Sequence, residues 1–316
     1  MNSQNKIIFW GTPEFGAIVL DLLSQTQFKP AYVVTEPDKP VGRHAYRQAG
    51  KQILTAPPVK KLALKYGILV LQPENLATYQ LTNLQADLFI VAAYGKILPK
   101  EILDIPKYGC LNIHPSLLPL YRGATPIQAA ILNGDKTTGV SIILMDEKLD
   151  HGPIVAQQRL ELPITDYQLP KLSKELAELG AKLLIETLPK WLTGEIKPST
   201  QDETKVTFTR QIKKEDGLID WSFPAEKIER MLRAYYPWPG IFTNFDNKKL
   251  KIIKAEILET QNDKKPGTVF FTTDKQLAVA CGKNALILKE IQLEGKKAMT
   301  SKEFLNGYPK IINAIL

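Results

Sequence analysis

The sequence predicts an α/β domain built on a mostly parallel sheet, followed by a smaller β-barrel domain. Three observations predict it. Over residues 1–190, short apolar runs alternate with stretches of helical periodicity, as in a sheet covered by helices. Residues 194–204 are polar and punctuated by Gly194 and Pro198, which reads as a linker. Beyond residue 240, strand-like runs follow one another with only polar or Gly-containing turns between them. The expected division is a first domain over 1–190, a linker over 191–206 and a second domain over 207–316, in keeping with the 316-residue length.

The elements follow in order. Lys6–Trp10 is an apolar run that ends at Gly11-Thr12-Pro13, and an amphipathic stretch covers Phe15–Leu23. Ala31–Thr35 reads as the next strand, and Pro57 and Pro58 open a helix that runs to Tyr66. Ile68–Leu71, Leu88–Ala92 and Leu111–His114 read as strands, Pro126–Leu132 as a helix and Gly139–Leu144 as a further strand. A long helix covers about 168–188. In the second domain Ala225–Arg233 is helical, and Ile241–Phe245, Leu250–Leu258, Thr268–Phe271, Leu277–Cys281 and Ala285–Leu293 are strands. Thr300-Ser301-Lys302-Glu303 has the spacing of a capping box.

Composition narrows the function classes. An apolar fraction of 44% with 23% charged residues is ordinary for a globular chain, and charges interrupt every apolar run before it could span a bilayer. Residues 1–6 are short and polar, without the apolar region of a signal peptide or the pattern of a transit segment. The two cysteines, Cys110 and Cys281, are far apart and form no CxxC pair, so neither a disulfide framework nor a metal site is expected and a reducing cytoplasm fits. The net charge of +8 is uneven: residues 1–206 carry 22 basic and 20 acidic residues, residues 207–316 carry 19 and 13. A basic second half suits a polyanionic partner such as nucleic acid, although a solvated lysine-rich surface would read the same.

Three places bear on the chemistry. Gly11-Thr12-Pro13-Glu14-Phe15-Gly16 lies at a strand-to-helix turn where dinucleotide-binding enzymes have G-x-G-x-x-G. Pro13 replaces the middle glycine, which removes an N–H and blocks close approach of a pyrophosphate, so a nicotinamide enzyme is disfavoured. Asn112 and His114 are two apart on a strand and face the same way, and Pro115 ends the strand directly afterwards. This puts an amide and an imidazole at a strand exit, where α/β sheets hold ligands. Leu149-Asp150-His151-Gly152-Pro153 places a carboxylate in a second constrained turn. Amide, imidazole and carboxylate together suit acyl transfer to an external nucleophile: two N–H donors for an oxyanion and one base for a proton. Ser116 lacks the G-x-S-x-G setting of a nucleophile. For His114 alone, a structural histidine capping a turn is the competing reading.

These residues, with Ser116-Leu117-Leu118-Pro119 between them, resemble the active site of the 10-formyltetrahydrofolate-dependent formyltransferases. Phe9-Trp10-Gly11-Thr12-Pro13-Glu14-Phe15, Glu36-Pro37-Asp38-Lys39-Pro40-Val41-Gly42-Arg43, Pro58-Val59-Lys60, Ala93-Tyr94-Gly95-Lys96-Ile97-Leu98-Pro99 and Arg122-Gly123-Ala124-Thr125-Pro126-Ile127-Gln128 extend the likeness through the first domain. Ile219-Asp220-Trp221 and Arg233-Ala234-Tyr235-Tyr236-Pro237-Trp238-Pro239-Gly240 carry it into the second. The resemblance implies a Rossmann-like catalytic domain followed by an OB-like barrel. It implies that 10-formyltetrahydrofolate is the cosubstrate and initiator methionyl-tRNA the partner. No metal and no membrane are expected from the composition, and no protein partner is inferred, which leaves a monomer as the expectation. Asn112 and His114 would stabilise the tetrahedral intermediate and Asp150 would support proton transfer. The folate would be held by main chain at Ala92, Ala93, Tyr94, Gly95 and Ile97, by the loop Ser116, Leu117, Leu118 and Pro119, and near Met145.

From Lys39 to Lys65 the chain has seven basic residues and no acidic one, a pattern suited to phosphate contact or to a solvated loop. By the resemblance Arg43, Arg47 and Lys51 would meet the tRNA, with Arg210 and Lys213 in the second domain. The sequence departs from the family in the longer insertion His44-Ala45-Tyr46-Arg47-Gln48-Ala49 and in Gln211, where a lysine is expected. Three other functions compete: formyl transfer to a nucleotide-linked amino sugar, release of formate to water, and RNA binding without catalysis. The basic loop and second-domain motif weigh against the first, and an intact Asn112, His114 and Asp150 set weighs against the last.

Overall fold

The computed structural model describes residues 5–40, 54–76, 85–163, 167–261 and 263–316. The chain forms two compact units. The first comprises Met1–Pro126, Thr137–Glu161 and Leu172–Thr209, the second Ile127–Lys136, Leu162–Lys171 and Arg210–Leu316.

The strands of the first unit are β1 (Ile7–Gly11), β2 (Tyr32–Val34), a small pair β3 (Lys39–Pro40) and β4 (Leu54–Thr55), β5 (Leu69–Leu71), β6 (Leu88–Ala92), β7 (Cys110–His114), β8 (Arg122–Gly123), β9 (Thr137–Leu144), β10 (Ile154–Glu161) and β11 (Phe208–Thr209). Seven of them form one sheet in the order β10-β9-β7-β6-β1-β2-β5. Pairings among β7, β6, β1, β2 and β5 are parallel, whereas β7–β9 and β9–β10 are antiparallel. Strand β10, not anticipated from the sequence, follows β9 after the short segment 145–153, a connection too short for the crossover that parallel neighbours need. None of its residues is fully buried, which explains why no apolar pattern marks it.

Helices α1 (Glu14–Ser24), α2 (Pro58–Lys65), α3 (Lys100–Leu103), α4 (Pro126–Asn133) and α5 (Leu169–Leu192) follow the expected positions, with α3 an addition. Alternation along the strands sorts the core onto two faces. Ile8, Trp10, Phe89, Val91 and Cys110 pack on one face with Tyr94, Leu98 and Ile102. On the other, Ile113 and Val140 lie against α5 so closely that a Cβ on Gly180 would sit 2.6 Å from Ile113 Cγ2. Only glycine admits that approach, and it fixes which face of β7 is left for chemistry.

The second unit is a curled antiparallel half-barrel of β12 (Ile241–Phe245), β13 (Lys248–Leu258), β14 (Val269–Phe271), β15 (Leu277–Ala280), β16 (Ala285–Leu293) and β17 (Met299–Thr300). Its order is β12-β13-β16-β15-β14, with β17 added on β16. Asp246 and Asn247, both at positive φ, make the two-residue turn between β12 and β13. Register irregularities near Lys254 bend β13. Helix α6 (Ala225–Ala234) packs on β13 and β16, and α7 (Ser301–Gly307) begins with the expected capping box between Thr300 and Glu303.

Candidate active site

Because Ile113 faces α5, its neighbours Asn112 and His114 face the opposite side, in line with buried Cys110. His114 Nε2 lies 3.0 Å from the carbonyl oxygen of Tyr121. A carbonyl only accepts, so Nε2 carries the hydrogen and Nδ1 is the edge free to exchange a proton. That edge lies 3.5 Å from Asp150 Oδ1. Asn112 Nδ2 donates to the same oxygen at 3.4 Å, and the Gly123 N–H donates to Asp150 Oδ2 at 2.8 Å. The side chains of His114 and Asp150 are only 5% and 12% exposed, so an interaction between them is poorly screened by solvent.

Two loops build this geometry. In the first, Ser116 Oγ donates to Leu120 O at 2.6 Å. Ser141 Oγ donates to Ser116 O and accepts from the Leu118 N–H, tying the loop to β9. The second loop carries Asp150 at φ +47°, a left-handed conformation that aspartate tolerates better than most residues. Two residues on, a Cβ at Gly152 would lie 1.8 Å from Leu144 O, so the return of the chain to β10 requires glycine.

The other residues singled out in the sequence fall into distinct settings. Ala92 is buried at the end of β6, and Ala93 and Gly95 are exposed in the following turn, both at positive φ. Tyr94 turns its ring into the core against Trp10, where burial pushes its hydroxyl up to about 12, so any ligand contact there is through main chain. Thr12, in the glycine turn, donates to Tyr94 O. Ile97 is exposed, Met145 is half-buried and packs beside the core, Ser116 and Leu118 are buried, and Leu117 and Pro119 are half-buried. Arg43, Arg47 and Lys51 lie outside the described residues. Arg210 makes a bidentate pair with Asp216, and Asp216 also accepts from the Lys213 N–H. Gln211 is exposed between them. These three belong to the second unit, and Asn112, His114 and Asp150 to the first.

Sequence reasoning missed Gln201 and gave Arg122 no role of its own. Arg122 is 3% exposed, and its guanidinium binds Gln201 Oε1 and Glu203, whose carboxyl it holds below the usual range. A lone arginine in an otherwise uncharged run (Asn112 to Ala130) was the available signal for it. Gln201, in a segment read as linker, gave none.

Nothing in this cluster is a covalent nucleophile. Burial pushes the Cys110 thiol up to about 12, and the Ser116 hydroxyl is committed to a carbonyl. Among the described residues no group of three or more His, Cys, Asp and Glu side chains is placed to hold a metal ion. An amide donor, an imidazole edge and a carboxylate gathered at a strand exit, with no nucleophile in the cluster, suit a group transferase that passes an acyl unit between bound substrates. Comparison with known proteins agrees. Residues 5–188 match the formyl transferase family and residues 211–309 match the formyl transferase C-terminal domain. Methionyl-tRNA formyltransferase of Caldicellulosiruptor saccharolyticus is 46% identical over 310 residues, 96% of each chain, and that of Roseiflexus castenholzii is 44% identical over 308. Among solved structures, the Clostridium thermocellum methionyl-tRNA formyltransferase superposes with a TM-score of 0.54 at 20% identity, over 82% of this chain and 95% of that one. HypX from Aquifex aeolicus, in complex with tetrahydrofolic acid, superposes with a TM-score of 0.62 at 18% identity, over 98% of this chain and 48% of that one. The chain belongs to the methionyl-tRNA formyltransferase family.

Proposed function

We propose that this chain transfers the formyl group of 10-formyltetrahydrofolate to the amino group of methionyl initiator tRNA, with Asn112, His114 and Asp150 as its catalytic residues. The convergence of an amide donor, an imidazole edge and one carboxylate at the exit of β7 carries the reading. The residues present suit a folate. The turn 93–97 offers exposed main chain beside the exposed Ile97 side chain, the mixture of hydrogen-bonding and apolar surface a flat pterin uses. Ala92, Ala93, Tyr94, Gly95, Ile97, Met145 and the loop Ser116, Leu117, Leu118 and Pro119 would hold it.

When bound, the folate supplies an electrophilic formyl carbon. Asn112 Nδ2 and the Nδ1–H of protonated His114 are the donors for the negative charge that grows on the formyl oxygen. Asp150 Oδ1 takes the proton that leaves the attacking nitrogen as the new C–N bond forms. The same relay returns a proton to the departing nitrogen, so the enzyme ends as it began. Methionyl-tRNA is the acceptor that the relatives' names carry, the initiator species is the one proposed, and the surplus of basic residues in 207–316 suits it. Arg43, Arg47, Lys51, Arg210 and Lys213 are the proposed tRNA contacts, and the substrate puts the reaction in the cytoplasm.

One assay tests this reading. Formyl transfer is followed with charged initiator tRNA, with a nucleotide-linked amino sugar and with no acceptor. Transfer to the tRNA alone is expected. Preferential transfer to the sugar, or formate release without acceptor at the same rate, overturns it. Asn112→Ala is expected to lower the single-turnover rate by roughly two to three orders of magnitude and leave folate binding within a few-fold, because such donors act in the transition state.

A further inference from the structure

Asp150 sits in the left-handed conformation, and the carbonyl groups of its turn are held by a single side chain. Gln201 is 9% exposed, and its Nε2 donates to Asp150 O and to Gly152 O, each at 2.8 Å. Its Oε1 accepts from Arg122 Nε at 3.0 Å. The orientation of this amide is fixed by its neighbours, since two carbonyls only accept and a guanidinium only donates. No other side chain of this size offers two donors on one side and an acceptor on the other. Arg122 is in turn anchored by Glu203 through Nη1 at 3.3 Å and Nη2 at 2.6 Å. The same stretch of chain braces the opposite loop. Thr207 Oγ1 accepts from the Tyr121 N–H, Thr207 O accepts from the Arg122 N–H, and β11 pairs in parallel with β8. Tyr121 O is the group that orients His114, and Gly123 N–H is the group that binds Asp150. Residues 201–209 therefore grip both halves of the candidate site.

We infer that Gln201 is a positioning residue of the transfer reaction: its carboxamide holds the Asp150–Gly152 turn so that Asp150 meets His114, Asn112 and the Gly123 N–H, and Arg122 sets the orientation of that carboxamide. The inference rests on the reading of Asp150 as the proton acceptor. Its chemical content is that an amide N–H₂ is required at position 201. A displacement of the carboxylate by about 1 Å is enough to cost roughly a hundredfold in rate.

Two substitutions in the full-length enzyme separate this role from a merely structural one. Gln201→Glu keeps the shape and the acceptor for Arg122 but sets a carboxylate against two carbonyls. Gln201→Met keeps the shape and loses both functions. Each is expected to lower the single-turnover rate by roughly 30- to 100-fold, with KM for folate and for tRNA within about threefold of the parent. The decisive measurement is the cycle with Asp150→Asn. If Gln201 acts through Asp150, Gln201→Glu costs less than about threefold once Asp150 is already Asn, because the two losses are not additive. An equal penalty in both backgrounds overturns the inference, as does a Gln201→Glu enzyme of near-parent rate. Asp150→Asn with undiminished turnover would refute the assignment of Asp150 itself, which is a different outcome and is read from the single variant.

Discussion

The replacement of Asp150 by Asn tests the proposed chemistry with the least change in shape. In the structure Oδ2 accepts the Gly123 N–H at 2.8 Å, while Oδ1 faces Asn112 Nδ2 and His114 Nδ1. An asparagine has one acceptor oxygen. The Gly123 N–H claims it, so the new NH₂ group turns toward two donors and toward the imidazole edge that exchanges the proton. It neither takes a proton from the amine nor offsets the charge of the imidazolium. The electrostatic part follows from the geometry. Two unit charges 3.5 Å apart at an effective dielectric constant of about 20 interact by about 5 kcal/mol. At about 1.4 kcal/mol per tenfold, three to four orders of magnitude is the upper bound on the rate loss if that attraction arises only in the transition state. Rapid-quench measurement of a single turnover with saturating substrates reads the chemical step, and folate affinity is measured separately on the same variant. The expected result is a loss of about a thousandfold or more in the chemical step with folate affinity little changed. A loss under tenfold, or one confined to binding, refutes the reasoning and returns Asp150 to a structural role.

Other expectations follow from local geometry. Gly152→Ala places a Cβ 1.8 Å from Leu144 O and is expected to lower Tm by several degrees and abolish transfer, whereas Gly307→Ala, whose Cβ meets nothing within 4 Å, should leave both unchanged. Thr300→Ala removes the cap of α7 and is expected to cost about 1 kcal/mol, roughly 2–4 °C in Tm by calorimetry, without altering transfer. The hydrogen bond from Arg210 holds Asp216 down to about 2, below its ordinary 3.8. The native state therefore binds fewer protons there than the unfolded chain, so this pair stabilises the protein above about pH 4, and its contribution is lost as pH falls through about 2. Thermal melts from pH 7 to pH 2 should show Asp216→Asn destabilised at neutral pH and converging on the parent at acid pH; a constant gap between the two curves would contradict the assignment.

Much of this protein was legible before folding was considered. Strands such as Leu88–Ala92, Ile241–Phe245 and Ala285–Leu293 announced themselves as apolar or alternating runs bounded by turn residues, because burial on one or both faces dictates side-chain type at fixed spacing. The Thr300–Glu303 box was readable because both partners of a cap lie within one turn. The shared face of Asn112 and His114 followed from the two-residue repeat of a strand, and their rigid exit from Pro115. What the sequence could not supply were relations across long separations whose residues carry no local pattern. Strand β10 is an exposed edge, so no periodic burial marks it, and its antiparallel placement came from the short connection after β9. The tautomer of His114 depends on a carbonyl seven residues away, and the aim of Asp150 on Gly123, 27 residues earlier, and on Gln201, 51 residues later. Hydrogen bonds need only that donor and acceptor meet in space, and they impose no spacing on the chain. Residue types and the faces they share were therefore determined by the sequence, and the tertiary structure alone decided which carbonyl meets His114 and which carboxamide meets the Asp150 turn.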